Sequence, residues 1–191
     1  AAATTATVCD EVYRTLMKMR WQPSLQIIPH YESEPLYIRA IVNSINHKLS
    51  SINWKPDLIL ASYHGIPKKY FDKGDPYHCY CHKTSRLIKE NFSKDIPILT
   101  TFQSRFGPQE WLQPYTDQTL ENLPKEGKKN ILVISPGFSS DCVETLEEIS
   151  IQGKESFLEA GGEKFDTIPC LNDNEDHIKL LVHLINKSVR K

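Results

Sequence analysis

The sequence predicts a doubly wound α/β fold, with a parallel four-stranded sheet and helices on both of its faces. Three observations predict it. Continuous apolar runs at residues 57–62, 96–102, 130–135 and 165–169 have the pattern of strands buried on both faces of a parallel sheet. Helical stretches at about 78–92, 109–123, 141–160 and 174–188 separate or follow them. Strand and helix therefore alternate, as right-handed βαβ crossovers require.

Before the first of these strands, Val8, Val12, Leu16 and Met19 recur at helical spacing over residues 7–20, and Trp21-Gln22-Pro23 closes that segment. Residues 25–29 form a short apolar run that reads as a strand. Ser33-Glu34-Pro35 then opens a second helix, carried to Leu49 by Leu36, Ile38, Ile41 and Ile45. A helix without a preceding strand, followed by a strand without neighbours, makes the N-terminus read as cut. The expected division is residues 1–30 as the end of a truncated N-terminal lobe and residues 31–191 as the C-terminal α/β lobe, with Pro29, Glu32, Ser33 and Pro35 interrupting the apolar pattern between them.

Composition narrows the function. The 191 residues carry 23 Lys and Arg against 24 Asp and Glu, a net charge of -1, so no cationic surplus is available to hold nucleic acid. A mean hydropathy of -0.44 and apolar runs far shorter than a membrane span describe a globular chain. The first residues, Ala1-Ala2-Ala3-Thr4-Thr5, have no signal-peptide pattern. Five scattered cysteines, at 9, 79, 81, 142 and 170, suit free thiols in a reducing cytoplasm.

In an open α/β sheet the ligand crevice lies outside the carboxyl ends of the strands, so the residues after each strand are where chemistry is expected. Tyr63-His64-Gly65-Ile66-Pro67 follows the first strand and places an imidazole beside a tight turn, where it can take protons or ligate a metal. A buried histidine bonded to a carbonyl is the structural alternative. After the third strand, Asp141 can cap a helix that bears Glu144, Glu147 and Glu148, a row of carboxylates at the crevice mouth. Acids there are also favoured by the helix dipole alone. His64 and Glu144 at adjacent strand ends together suit a borderline divalent cation such as Fe²⁺, or shared proton traffic. The aromatics Tyr63, Tyr77, Phe106, Trp111, Tyr115 and Phe138 fall in post-strand segments and suit a large flat apolar ligand, although each alone also fits core packing.

His78-Cys79-Tyr80-Cys81-His82 invites a zinc reading, but Cys-x-Cys is tighter than structural zinc sites use and no second pair follows. Cys9, Cys142 and Cys170 do not complete an iron–sulfur run. No nucleophile elbow and no glycine-rich phosphate loop is present.

The blocks Ser62-Tyr63-His64-Gly65-Ile66-Pro67, Gly74-Asp75-Pro76-Tyr77, Gln103-Ser104-Arg105-Phe106-Gly107-Pro108, Trp111-Leu112, Phe138 to Glu148, Ala160-Gly161-Gly162 and Leu171-Asn172-Asp173 resemble, in order, those of the ferrochelatase (protoheme ferro-lyase) family, in its bacterial Gram-negative form. Met17 to Pro23 resembles the family's middle region, so the likeness covers essentially the whole chain. Cys142 stands where many relatives have histidine, and Gln152 interrupts the acidic row beyond Glu148.

The resemblance implies a chelatase-type, Rossmann-like fold and the insertion of ferrous iron into protoporphyrin IX, the last step of protoheme synthesis, in a cleft between two lobes. It implies His64, Glu144 and Glu148 as catalytic residues, His64 and Glu144 as the metal-meeting pair, and Tyr63, Tyr77, Trp111 and Phe138 as the porphyrin wall. No organic cofactor is expected, and iron enters as substrate. A cytoplasmic location is expected, and a peripheral contact with the inner membrane through the missing lobe is compatible with it. The chain by itself is expected to be nearly inactive. Two alternatives stand beside this reading: a chelatase for another tetrapyrrole or metal, and a non-enzymatic zinc module built on His78, Cys79, Cys81 and His82.

Overall fold

The computed structural model describes residues 1–189. Four strands, β1 (Leu58–His64), β2 (Ile98–Gln103), β3 (Asn130–Ile134) and β4 (Lys164–Ile168), form one sheet. Its order is β2-β1-β3-β4 and every pairing is parallel. The helices are α1 (Ala2–Leu16), α2 (Pro35–Ser51), α3 (Lys68–Asp72), α4 (Tyr77–Asn91), α5 (Thr116–Asn122), a π-helix (Glu144–Gly153), α6 (Lys154–Glu159) and α7 (Glu175–Val189).

Strand alternation divides the core in two. Ile59, Ala61, Tyr63, Phe102, Leu132, Ile134 and Ile168 face α2, α4 and α7. Leu58, Leu60, Ile131, Val133 and Phe165 face the other way, with Leu120 of α5, Ile149 of the π-helix and Phe157 of α6. Both faces of the central strands are therefore dry, which explains the unbroken apolar runs. Chain direction across the sheet reverses at β1, since β2 lies on one side of it and β3 on the other. That reversal opens a crevice at the carboxyl ends of β1 and β3.

Three local expectations are corrected. Residues 25–29 make no strand: Leu25, Ile27 and Ile28 are exposed and have no neighbouring strand to pair with, and an apolar run alone supplies no ladder. The helix expected over 109–123 is confined to Thr116–Asn122, because the preceding segment pairs with other backbone instead. Trp111 bridges Pro67, Tyr115 bridges Phe102, and the Leu112 N–H donates to the Ile66 carbonyl at 3.0 Å. Residues 141–160 begin their helix at Glu144 as a π-helix and become α-helical at Lys154. The short α3 was not foreseen. α1 buries none of its residues.

Candidate active site

His64 ends β1 with its side chain on the face opposite Tyr63, and its ring is half-buried. Its Nδ1 lies 2.7 Å from the Gly65 carbonyl oxygen. A carbonyl only accepts, so Nδ1 carries a proton, and in the neutral ring Nε2 offers its lone pair to a substrate. The strand end is held from two sides. Tyr77 at the start of α4 donates its hydroxyl to the His64 carbonyl at 2.9 Å, and the Gly65 N–H donates to the Gln103 carbonyl at 2.7 Å. Gly65 has to be glycine here, since a Cβ would sit 2.9 Å from the Gln103 oxygen and 3.2 Å from the Trp111 ring.

Across the crevice the loop after β3 brings Phe138 to His64, ring centroids 6.3 Å apart. Glu144 opens the π-helix. The Cys142 thiol donating to it, its own backbone N–H and the His64 imidazole hold the Glu144 carboxyl below the usual carboxylate range. Cys142 is pushed the other way, by burial and by that same hydrogen bond.

Glu148 is engaged with the protein. It accepts the Ser104 backbone N–H at 2.7 Å and the Ser104 hydroxyl at 2.5 Å, and the Gln103 amide lies 3.4 Å away. Ser104 takes a left-handed backbone (φ 62°), which aims its N–H at that carboxylate. Glu148 therefore ties the end of β2 to the π-helix. Glu147 instead accepts from the Gln152 amide at 2.6 Å, five residues on, a pairing that suits the wider π turn.

Beneath these groups runs a buried polar network that sequence reasoning missed. The Ser62 hydroxyl donates to Gln103 Oε1 at 2.8 Å and lies 2.9 Å from Thr116 Oγ1, which donates to Thr101 Oγ1 at 2.9 Å. Gln103 Nε2 donates to the Glu144 carbonyl at 3.0 Å. Ser62, Thr101, Gln103 and Thr116 are each at most 3% exposed. Polar residues within otherwise apolar strand runs were the available signal.

The other expected wall residues divide. Tyr77 is largely buried, which pushes its phenol well above the ordinary range, and it braces the strand end. Trp111 is half-buried, its indole N–H donating to the Phe106 carbonyl at 2.8 Å and its ring lying over Gly65. Tyr63 is corrected: at 2% exposure it is a core residue with its hydroxyl 2.9 Å from Ser85 Oγ, because one step along a strand reverses the face. The four-residue zinc set is corrected as well. Cys81 is 3% exposed while Cys79 faces solvent, and among the described residues no three His, Cys, Asp or Glu side chains converge as a metal site.

Asp141 anchors the loop that carries Phe138 and Glu144. Burial alone would raise its carboxyl, but hydrogen bonds from Asn172 Nδ2 (2.7 Å), the Cys170 N–H (3.2 Å) and Thr145 Oγ1 (3.1 Å) outweigh it and hold the group below the usual range. A carboxyl depressed in the folded state adds stability that is present above its unfolded pKa and lost as pH falls through the folded value. Asp141→Asn should therefore cost about 1–2 kcal/mol at neutral pH, and the difference should shrink as the pH falls toward the folded value, as checked by urea denaturation at pH 7 and pH 3.

The family described as Ferrochelatase matches residues 1–189. Relatives named ferrochelatase include those of Allorhizobium ampelinum, 56% identical over 100% of this chain and 56% of the relative, and of Rhizobium meliloti, 56% identical over 99% and 56%. That of Agrobacterium fabrum is 49% identical over 100% and 56%. The chain thus spans little more than half the length of these relatives.

Proposed function

Since the chain belongs to the ferrochelatase family, we propose that it forms one wall of a site that inserts ferrous iron into protoporphyrin IX, as the last step of protoheme synthesis. The observation that carries the reading is His64 at the strand-order reversal, its Nε2 without a hydrogen-bond partner among the described residues and the Glu144 carboxylate within its electrostatic reach.

Metallation exchanges two pyrrole N–H protons for one Fe²⁺, so the site must take protons, admit a cation and hold the macrocycle in a fixed pose. Nε2 of His64 accepts the first proton or meets the iron. Glu144, kept ionised, stabilises the imidazolium or the incoming cation and passes protons toward solvent. Phe138 and Trp111 supply flat apolar surface for the macrocycle, and Tyr77 and Gln103 fix the strand end beneath it. Glu148, held by Ser104, keeps the π-helix in register with β2 and extends the negative potential along it. The exchange removes protons and binds a metal, so it asks for no organic cofactor.

Because the wall described here is one side of a crevice, residues 1–30 are read as the end of a preceding lobe that closes the other side, and the 191-residue chain alone as nearly inactive. The five free thiols suit the cytoplasm. Among the described residues no helix is long and apolar enough to cross a membrane, and the inner-membrane contact proposed is peripheral.

The test is anaerobic. Protoporphyrin IX and Fe²⁺ are given to the native gene product, and metallation is followed by loss of porphyrin fluorescence. Turnover at a rate well above that of the protein-free mixture is expected, and porphyrin that stays unmetallated while bound would overturn the proposal.

A further inference from the structure

The first turns of α4 carry His78 and His82, four residues apart and hence on one face of the helix. Their ring centroids lie 4.4 Å apart. Two imidazoles bound at right angles to one ion, each at about 2 Å, place their centroids about 4.5 Å apart, so the spacing of the two rings fits a shared ion. His78 is held in place by aromatic neighbours, stacked on Phe102 at 5.6 Å and tilted against Phe71 at 4.9 Å.

No ring nitrogen of either histidine has a hydrogen-bond partner among the described residues, whereas His64 and His177 each engage one and His30 engages both. Among the described residues every fully buried side-chain nitrogen or oxygen has a partner, so the unengaged nitrogens of half-buried His78 reach solvent, as does exposed His82. Burial lowers the proton affinity of both rings, and for His78 a charge on His82 lowers it further.

We propose that His78 and His82 form a two-imidazole clamp for a borderline divalent transition-metal ion, represented by Ni²⁺, on the outer side of the edge strand. The clamp is independent of the candidate active site. Phe102, against which His78 stacks, points to the α4 face, while the adjoining Gln103 and its partner His64 point to the other, so the sheet separates the two places. It is also unlike the closed zinc set considered from sequence. Cys79 projects about 100° around the helix from His78, and Cys81 is buried. Two protein nitrogens leave the remaining coordination positions open to water, and imidazole is the donor that Ni²⁺, Cu²⁺ and Zn²⁺ favour.

The test titrates Ni²⁺ by calorimetry into the full chain carrying Cys79→Ser and His64→Ala, which removes the exposed thiol and the active-site imidazole. One ion per chain is expected. His78→Gln and His82→Gln should each weaken binding about tenfold or more, since a second ligand on the same helix acts at high effective concentration. His47→Gln, a lone exposed imidazole on α2, should leave binding unchanged. Ni²⁺ should also raise Tm in the parent and not in the two clamp variants, because an ion bound only to the folded state stabilises it. Should half-buried His78→Gln fail to fold, exposed His82→Gln carries the test alone. Equal Ni²⁺ affinity in parent and His82→Gln, or an equal loss in His47→Gln, would overturn the clamp.

Discussion

His64→Ala in the native gene product should lower iron insertion by about 10²- to 10⁴-fold, the range expected on removing a positioned proton acceptor. Porphyrin binding should change little, because in the proposed site the macrocycle would rest on apolar surface from Phe138 and Trp111 while the imidazole would contribute one nitrogen. The loss should therefore appear in kcat with KM for porphyrin nearly unchanged. Glu144→Gln keeps side-chain volume and removes the charge that faces His64, and it should lower turnover in the same direction. The double variant should be scarcely slower than the slower single one, since a base and the carboxylate that stabilises its charged form act as a unit. Steady-state rates at saturating Fe²⁺ with porphyrin fluorescence titrations decide the matter. A His64→Ala protein that keeps most of its rate would reduce this histidine to a packing residue bonded to the Gly65 carbonyl.

Gln103→Leu should be the most damaging single change to the architecture of the site. The amide bonds Ser62 on one side and the Glu144 carbonyl on the other, and it is 3% exposed. A leucine fills similar space and leaves these groups without that partner, which costs about 2–3 kcal/mol. For a domain of this size that is a fall in Tm of roughly 5–10 °C. Gln103→Glu retains the acceptor for Ser62 and loses the donor to Glu144, while setting a second carboxylate beside Glu148. It should be at least as destabilising at pH 7 and recover part of the loss in acid, where the carboxylates protonate. Thermal melts at pH 7 and pH 4 read both effects, and melts that coincide with those of the parent would show that the network does not hold the π-helix to β2.

What could be read from sequence was whatever depends on chain-local pattern. The runs around Leu60, Leu132 and Phe165 are apolar because both faces of the sheet are covered, and unbroken apolarity bounded by Pro and Gly survives as a one-dimensional signal. His64 and Glu144 were legible as candidates for the same reason: a residue after a buried strand in such a sheet lies at the crevice whatever its neighbours are. That both fall at one crevice depends on the order β2-β1-β3-β4, which no local segment encodes.

The failures follow the same physics. Residues 25–29 have strand-like residues and no strand, because a strand exists only with a hydrogen-bonded neighbour. Tyr63 and His64 are adjacent in sequence and were read toward one site, yet strand pleating sends one hydroxyl into the core and the other side chain to the crevice. Gln103 and Ser104 look like loop chemistry until the fold brings Glu148 to them across more than forty residues. The acidic row was laid out on α-helical spacing, but Glu144 to Gly153 is wound wider, with Ser150 Oγ donating back to the Thr145 carbonyl. Sequence by itself determined which segments are buried and which residue types stand at strand ends. Only tertiary structure decided which of them meet, because hydrogen-bond partners and strand order are set by contacts between segments far apart in the chain.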